Sequence, residues 1–113
     1  MTAPFTPRNY LFVCSQNKLR SPTAEMIFSE IDGIATQSAG TNNDAETPLS
    51  GDLIDWADMI FVMERAHRNK VQRKFKPQLK DKNLVVLDIP DDYEFMDPAL
   101  IALIKARMRR WLV

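Results

Sequence analysis

Three short apolar runs, separated by segments of helical period, frame the chain. Tyr10-Leu11-Phe12-Val13 is aromatic and branched with no polar alternation, as in a strand buried on both faces. Asp58 to Met63 ("DMIFVM") and Asn83 to Ile89 ("NLVVLDI") have the same character. Ile34 to Ala39 ("IATQSA") is a weaker strand, closed by Gly40. From Pro22 a helix is expected, because Ala24, Ile27, Phe28 and Ile31 recur at helical spacing and Gly33 is placed to end it. "GTNNDAETP" is a polar loop, and Leu49 to Trp56 predicts a short helix. "ERAHRNKVQRKF" predicts another, with Ala66, Val71 and Phe75 facing inward and Pro77 as its limit. In the closing segment, Leu100, Ile104, Met108 and Trp111 form an apolar stripe opposite Lys105, Arg109 and Arg110.

Strands alternating with helices predict an α/β fold. The expectation is a single three-layer domain over residues 1–113, with a central four-stranded parallel sheet flanked by helices on both faces. Residues 1–8 carry two prolines and no apolar segment of signal-peptide length, so they read as a loosely ordered leader. No apolar run approaches transmembrane length, which makes a soluble cytoplasmic protein the expectation. In open parallel sheets ligands bind beyond the carboxyl ends of the strands. Cys14 lies at that end of the first strand, and the acidic loop "DIPDDY" at that end of the last.

Composition narrows the partners. The 113 residues include 15 basic and 15 acidic side chains, so net charge selects no partner. Cys14 is the sole cysteine, which excludes an intrachain disulfide and a cysteine-based metal site. With one histidine besides, no metal is expected, and no other cofactor. His67 reads as a residue of the helix surface or one supporting a site from behind. The run from Arg65 to Lys82 is strongly basic and reads as a solvated helix face, able to steer anionic substrates. No nucleic-acid motif accompanies it, so a nucleic-acid partner is not expected, nor is a membrane; oligomeric state stays open. Met26, Met59, Met63, Met96 and Met108 are expected to fill the core, with Trp56 and Trp111 as anchors.

The candidate chemistry lies in "CSQNKLRSP". The segment leaves a strand at Cys14 and enters a helix near Ser21-Pro22, where proline suits the first turn. The loop between must curl over the helix N-terminus, whose backbone N–H groups and dipole make an anion cradle. Arg20 offers a planar fork to two phosphate oxygens. A cysteine held over the same cradle is expected as a thiolate. That combination suggests attack of sulfur on a phosphoester phosphorus, giving a cysteinyl-phosphate, with Arg20 and the loop amides stabilising the developing charge. Ser21 is placed to hydrogen-bond the sulfur and improve it as a leaving group. The bare spacing of cysteine and arginine is equally that of a buried thiol and a surface charge; the strand before it and the Ser-Pro start after it favour the site.

"LFVCSQNKLRSPTAE" resembles the phosphate-binding loop of the low-molecular-weight protein tyrosine phosphatases, whose pattern is Cys, five residues, Arg, Ser. Asn17 matches the asparagine that braces the loop in that family. "SAGT" (Ser38 to Thr41), "ADMIFVMERAH" (Ala57 to His67) and "DIPDDY" (Asp88 to Tyr93) extend the resemblance in the same order along nearly the whole chain. It implies a phosphate site formed by Ser15, Gln16, Asn17, Lys18, Leu19, Arg20 and Ser21. The chain departs from the pattern at Gln16 (often Gly), Leu19 (often a second Cys) and Asp92 (usually Pro). It is also short between "SAGT" and "ADMIF", which shortens one wall of the implied site.

A leaving phenolate or alkoxide needs a proton, and Asp91, Asp92 and Asp97 are the candidates. Asp97 precedes Pro98 and a long helical pattern, as a helix N-cap does. The resemblance implies Asp91 as the acid and Tyr93 as an aromatic pocket residue. Asp92, beside Asp91, stays the second candidate and a pocket residue, since a neighbouring carboxylate shifts either group. The expected activity is hydrolysis of protein phosphotyrosine or small aryl phosphates. The alternatives are a phosphotyrosine-recognition module with little turnover, a thiol-dependent arsenate reductase using an external thiol, and a phosphoryl carrier.

Overall fold

The computed structural model describes residues 8–80 and 82–112. Residues 1–7 of the expected leader lie outside these. Arg8, assigned to that leader, instead opens the first strand: its N–H donates to the Gly33 carbonyl at 2.8 Å, and it pairs with Ile34.

The chain runs β1 (Arg8–Cys14), α1 (Arg20–Phe28), β2 (Ile34–Gly40), α2 (Gly51–Trp56), β3 (Met59–Val62), α3 (Arg65–Lys74), β4 (Asn83–Val86) and α4 (Pro98–Met108), closed by a 3-10 turn at Arg109–Trp111. All strand pairs are parallel, in the order β2-β1-β3-β4. The chain goes from β1 outward to β2, then crosses back to β3 on the other side. The carboxyl end of β1 is therefore the point where the winding reverses and a crevice opens.

The two-residue period of a strand divides the core. Tyr10, Phe12 and Cys14 face one side of the sheet with Phe61 and Met63, packing against Ala24 and Phe28 of α1 and Leu100, Ile104 and Met108 of α4. Leu11, Val13, Ile60 and Val62 face the other, against Ile54 of α2 and Val71 of α3. Both faces of β1 are thus dry, which is why its sequence shows no alternation. Phe61 lies edge-on to Tyr10 with ring centroids 5.0 Å apart and stacks on Phe12 at 5.4 Å. The Tyr10 hydroxyl, otherwise stranded in this core, donates to the Trp111 carbonyl at 2.5 Å and ties the chain's end to β1.

Several boundaries move. The first helix begins at Arg20, before Pro22, and stops at Phe28. Gly33 does not cap it; it turns the chain into β2 at a φ of 91°. The last strand ends at Val86, but Leu87 and Ile89 donate N–H groups to the carbonyls of Val62 and Met63, so the segment stays laid along β3. In α3 Ala66 is exposed, and His67 takes the inward position with Val71 four residues on, while Phe75 packs partly buried. Met26 is 50 % exposed on the outer face of α1, not in the core. Asp97 accepts from the Ala99 N–H at 2.8 Å and caps α4 above Pro98.

Candidate active site

The loop from Ser15 to Leu19 joins β1 to α1 at the reversal point. Asn17 adopts a left-handed conformation (φ 59°), which lets five residues curl over the start of the helix. Among the described residues, the backbone N–H groups of Ser15, Gln16, Asn17, Lys18 and Leu19 donate to no backbone carbonyl or side chain. A run of unpaired amides wrapped on a helix N-terminus is a nest for an anion.

Cys14 ends β1 beneath this loop, 3 % exposed. Its sulfur lies 3.0 Å from the Ser21 hydroxyl. Asn17 Nδ2 donates to Ser21 Oγ at 3.0 Å and to Ser38 Oγ at 2.8 Å, linking the loop to α1 and to β2. With one lone pair of Ser21 Oγ filled by the amide, its proton has two acceptors within reach, the Cys14 sulfur at 3.0 Å and the Ala39 carbonyl at 3.4 Å. Ser38 donates onward to Glu25.

Gly40 holds β2 against the back of the loop. A Cβ there would stand 2.5 Å from the Ser15 carbonyl oxygen, 2.5 Å from Ala45 Cβ and 3.1 Å from Asn17 N. Only glycine permits this approach of two backbones. Thr41 and Asn42 then donate their N–H groups to the carbonyls of Cys14 and Ser15, so the loop is fixed from below along its length.

Arg20 is 2 % exposed and held by two partners. Nη1 donates to Glu64 Oε2 at 2.6 Å and to the Ile89 carbonyl at 2.8 Å, while Nε lies 3.8 Å from Asp91 Oδ1. The expected fork is therefore half committed: Nη1 is taken, Nε faces the Asp91 carboxylate, and Nη2 donates to no protein group among the described residues. Asp91, at the carboxyl end of the β4 segment, is exposed and faces Arg20. Asp92 is exposed and forms no ion pair among the described residues. Tyr93 packs partly buried against the same side of the core as Cys14. Lys18 is exposed; Gln16 and Leu19 are half-buried.

Behind the loop, His67 is 3 % exposed. Its Nδ1 accepts the Glu64 N–H at 3.0 Å, the reciprocal half of a capping box in which the Glu64 side chain caps α3. Its Nε2 lies 2.8 Å from Ser15 Oγ. Burial, and secondarily the Arg20 charge, push its pKa down from 6.5 to about 4, with Lys70 adding and Glu64 and Asp91 opposing. At neutral pH the ring is uncharged, so Nε2 carries the proton and donates to Ser15.

Glu64, Ser38 and Gly40 were not legible as site residues in the sequence. The available signal was an acid directly after a buried strand, which in a parallel sheet stands beside the loop that carries Arg20.

No protein-family model matches the chain, and no curated relative matches its sequence. Solved structures do. An arginine phosphatase, YwlE, from Geobacillus stearothermophilus is 24 % identical with a TM-score of 0.73, over 94 % of this chain and 93 % of that one. Wzb from Vibrio vulnificus, solved with benzylphosphonate, is 21 % identical with a TM-score of 0.75, over 93 % and 97 %. SP-PTP, a low molecular weight protein tyrosine phosphatase from Streptococcus pyogenes, is 17 % identical with a TM-score of 0.76, over 93 % and 91 %. Four parallel strands, the helices on their two faces and the order that joins them make the fold of this chain that of the low-molecular-weight protein tyrosine phosphatases.

Proposed function

We propose that the protein is a cysteine-dependent phosphomonoester hydrolase acting on protein phosphotyrosine or small aryl phosphates. The observation that supports this reading is that one short loop joins Cys14 at the end of β1 to Arg20 at the start of α1, its five N–H groups without a protein acceptor among the described residues. The three anionic non-bridging oxygens of a phosphoryl group are acceptors suited to such a set of donors.

In the first step the Cys14 thiolate attacks phosphorus and an S–P bond forms. The P–O bond to the leaving group breaks, and Asp91 gives its proton to the departing phenolate or alkoxide. In the second, Asp91 as carboxylate takes a proton from water, whose oxygen attacks phosphorus. The S–P bond breaks and phosphate leaves. The Ser21 hydroxyl, 3.0 Å from the sulfur, donates to the thiolate and stabilises it as it departs. The loop amides and the Arg20 guanidinium hold the equatorial oxygens throughout. No step calls for a metal ion. Asp91 is the acid because it alone of the three candidates faces Arg20, while Asp97 is spent on capping α4.

The test is hydrolysis of p-nitrophenyl phosphate, a phosphotyrosine peptide and phosphoarginine in EDTA, by the wild type and by Cys14→Ser. The wild type should release phosphate and the variant none. Undiminished turnover by the variant would remove Cys14 from the mechanism; binding of the phosphopeptide without any release would leave a recognition module instead.

A further inference from the structure

We propose that the cleft between the loop after β2 and helix α3 is a second anion-binding site, which docks the acidic flank of a phosphopeptide substrate. This rests on the phosphatase reading above and names the substrate class it serves. The cleft, of about 390 Å³, is lined by Thr41, Asn42, Asn43, Lys70, Arg73 and Lys74. Three of its six lining residues are cations, and none is an acid.

Two observations single this face out from an ordinary solvated helix. Thr41 is 8 % exposed, and its buried hydroxyl is without a hydrogen-bond partner although it lines the cleft. A buried polar atom left unpaired is costly, and a shift of the cleft wall that let a ligand oxygen reach it would relieve that cost. The lysines, moreover, are gathered here rather than spread in solvent: Lys70 Nζ reaches Asn42 Oδ1 at 3.3 Å and Lys74 Nζ reaches Asn43 Oδ1 at 3.2 Å.

The cleft is coupled to the catalytic loop by backbone. Thr41 N–H donates to the Cys14 carbonyl and Asn42 N–H to that of Ser15. Lys70 and Lys74 follow Glu64, the partner of Arg20, by six and ten residues on α3. That places them roughly 9 to 15 Å along the helix axis, the reach of about three to five residues of extended peptide. Arg73 also lines a further groove with Lys76, Lys80 and Lys82, so the basic surface continues outward from the site. A peptide fits better than a nucleic acid, because the adjoining aromatic side chain, Phe75, is partly buried in the core beneath α3 and leaves no open ring face for a base to stack on.

The experiment compares two phosphotyrosine peptides that differ only in flanking glutamates replaced by glutamines. Each is assayed for kcat/KM, and for affinity by fluorescence anisotropy with the Cys14→Ser protein, which reads binding whether or not there is turnover. The wild-type background should favour the acidic peptide by about tenfold at low salt, and the Lys70→Gln/Arg73→Gln/Lys74→Gln protein should lose that preference while hydrolysing p-nitrophenyl phosphate as before. Equal affinity for the two peptides, or a preference that survives the triple substitution, overturns the docking site and leaves the phosphatase reading intact. Tighter binding of a 5′-phosphorylated single-stranded oligonucleotide than of the acidic peptide overturns it too. Absence of any hydrolysis with the affinity preference retained tells against the phosphatase reading alone.

Discussion

His67 Nε2 stands 2.8 Å from Ser15 Oγ, so a neutral, buried imidazole braces the residue directly after the candidate nucleophile. The ring is fixed at its other nitrogen by the Glu64 N–H, and Glu64 in turn holds Arg20. One side chain thereby holds both the first residue of the loop after β1 and the acid that pairs with Arg20.

Protonation of His67 should loosen this arrangement. Its pKa is about 4 in the folded protein against 6.5 for an unperturbed histidine, so folding favours the neutral ring. The contribution is fully present above pH 6.5, shrinks as pH falls, and is lost below about 4. About 2.5 pKa units correspond to roughly 3 kcal/mol of pH-dependent stability. Urea unfolding at a series of pH values between 7.5 and 4 should show this slope in the wild type, and His67→Gln should show a shallower one. Parallel slopes in the two proteins would contradict the assignment.

Glu64→Gln should slacken Arg20. The guanidinium is buried while the carboxylate is 44 % exposed, so the stability cost is that of a partly screened pair, about 1–2 kcal/mol. The effect on turnover should be larger, on the order of tenfold in kcat/KM for an aryl phosphate, because the guanidinium loses its aim. The matching readout is inorganic phosphate inhibition, which should weaken in parallel.

Gly40→Ala places a methyl group 2.5 Å from the Ser15 carbonyl and Ala45 Cβ. Overpacking against backbone should cost about 1–3 kcal/mol and push the loop out of register. Thermal unfolding and phosphate affinity should both fall. A variant with unchanged phosphate affinity would show that β2 does not support the loop.

The three aspartates should separate by assay. Asp91→Asn should lower kcat by about 10²–10⁴-fold, more for phosphotyrosine than for substrates whose leaving group needs no proton. Asp97→Ala should leave kcat alone and cost about 1 kcal/mol of stability through the lost cap of α4. If Asp92→Asn instead shows the leaving-group dependence, the acid is one residue later than assigned.

Much of this is legible in the sequence. The dry strand Tyr10–Val13, the Leu100–Ile104–Met108 stripe and the Asp97-Pro98 cap are local patterns, and local patterns survive into the structure because burial and capping act on neighbours in sequence. The Cys14-to-Arg20 loop is legible for the same reason: strand, loop and helix start lie within one short segment. Ala66 was misplaced because helical period alone does not fix the phase of a polar helix; the hydrogen bonds to Ser15 and Glu64 turned His67 inward instead. Met26 was misplaced because hydrophobicity says nothing about which side of α1 meets the sheet.

The sequence by itself determined the order of elements, the sulfur at the end of β1 and the guanidinium six residues on, just ahead of the helix expected from Pro22, since each is a matter of residue type and short-range spacing. Tertiary structure alone decided what surrounds them. Glu64 reaches Arg20 across 44 residues, His67 reaches Ser15 across 52, and the Ile89 carbonyl reaches Arg20 across 69. Those contacts exist because parallel pairing brings the carboxyl ends of β1, β3 and the β4 segment to one edge, and pairing of strands distant in sequence is set by the whole sheet rather than by any segment of it.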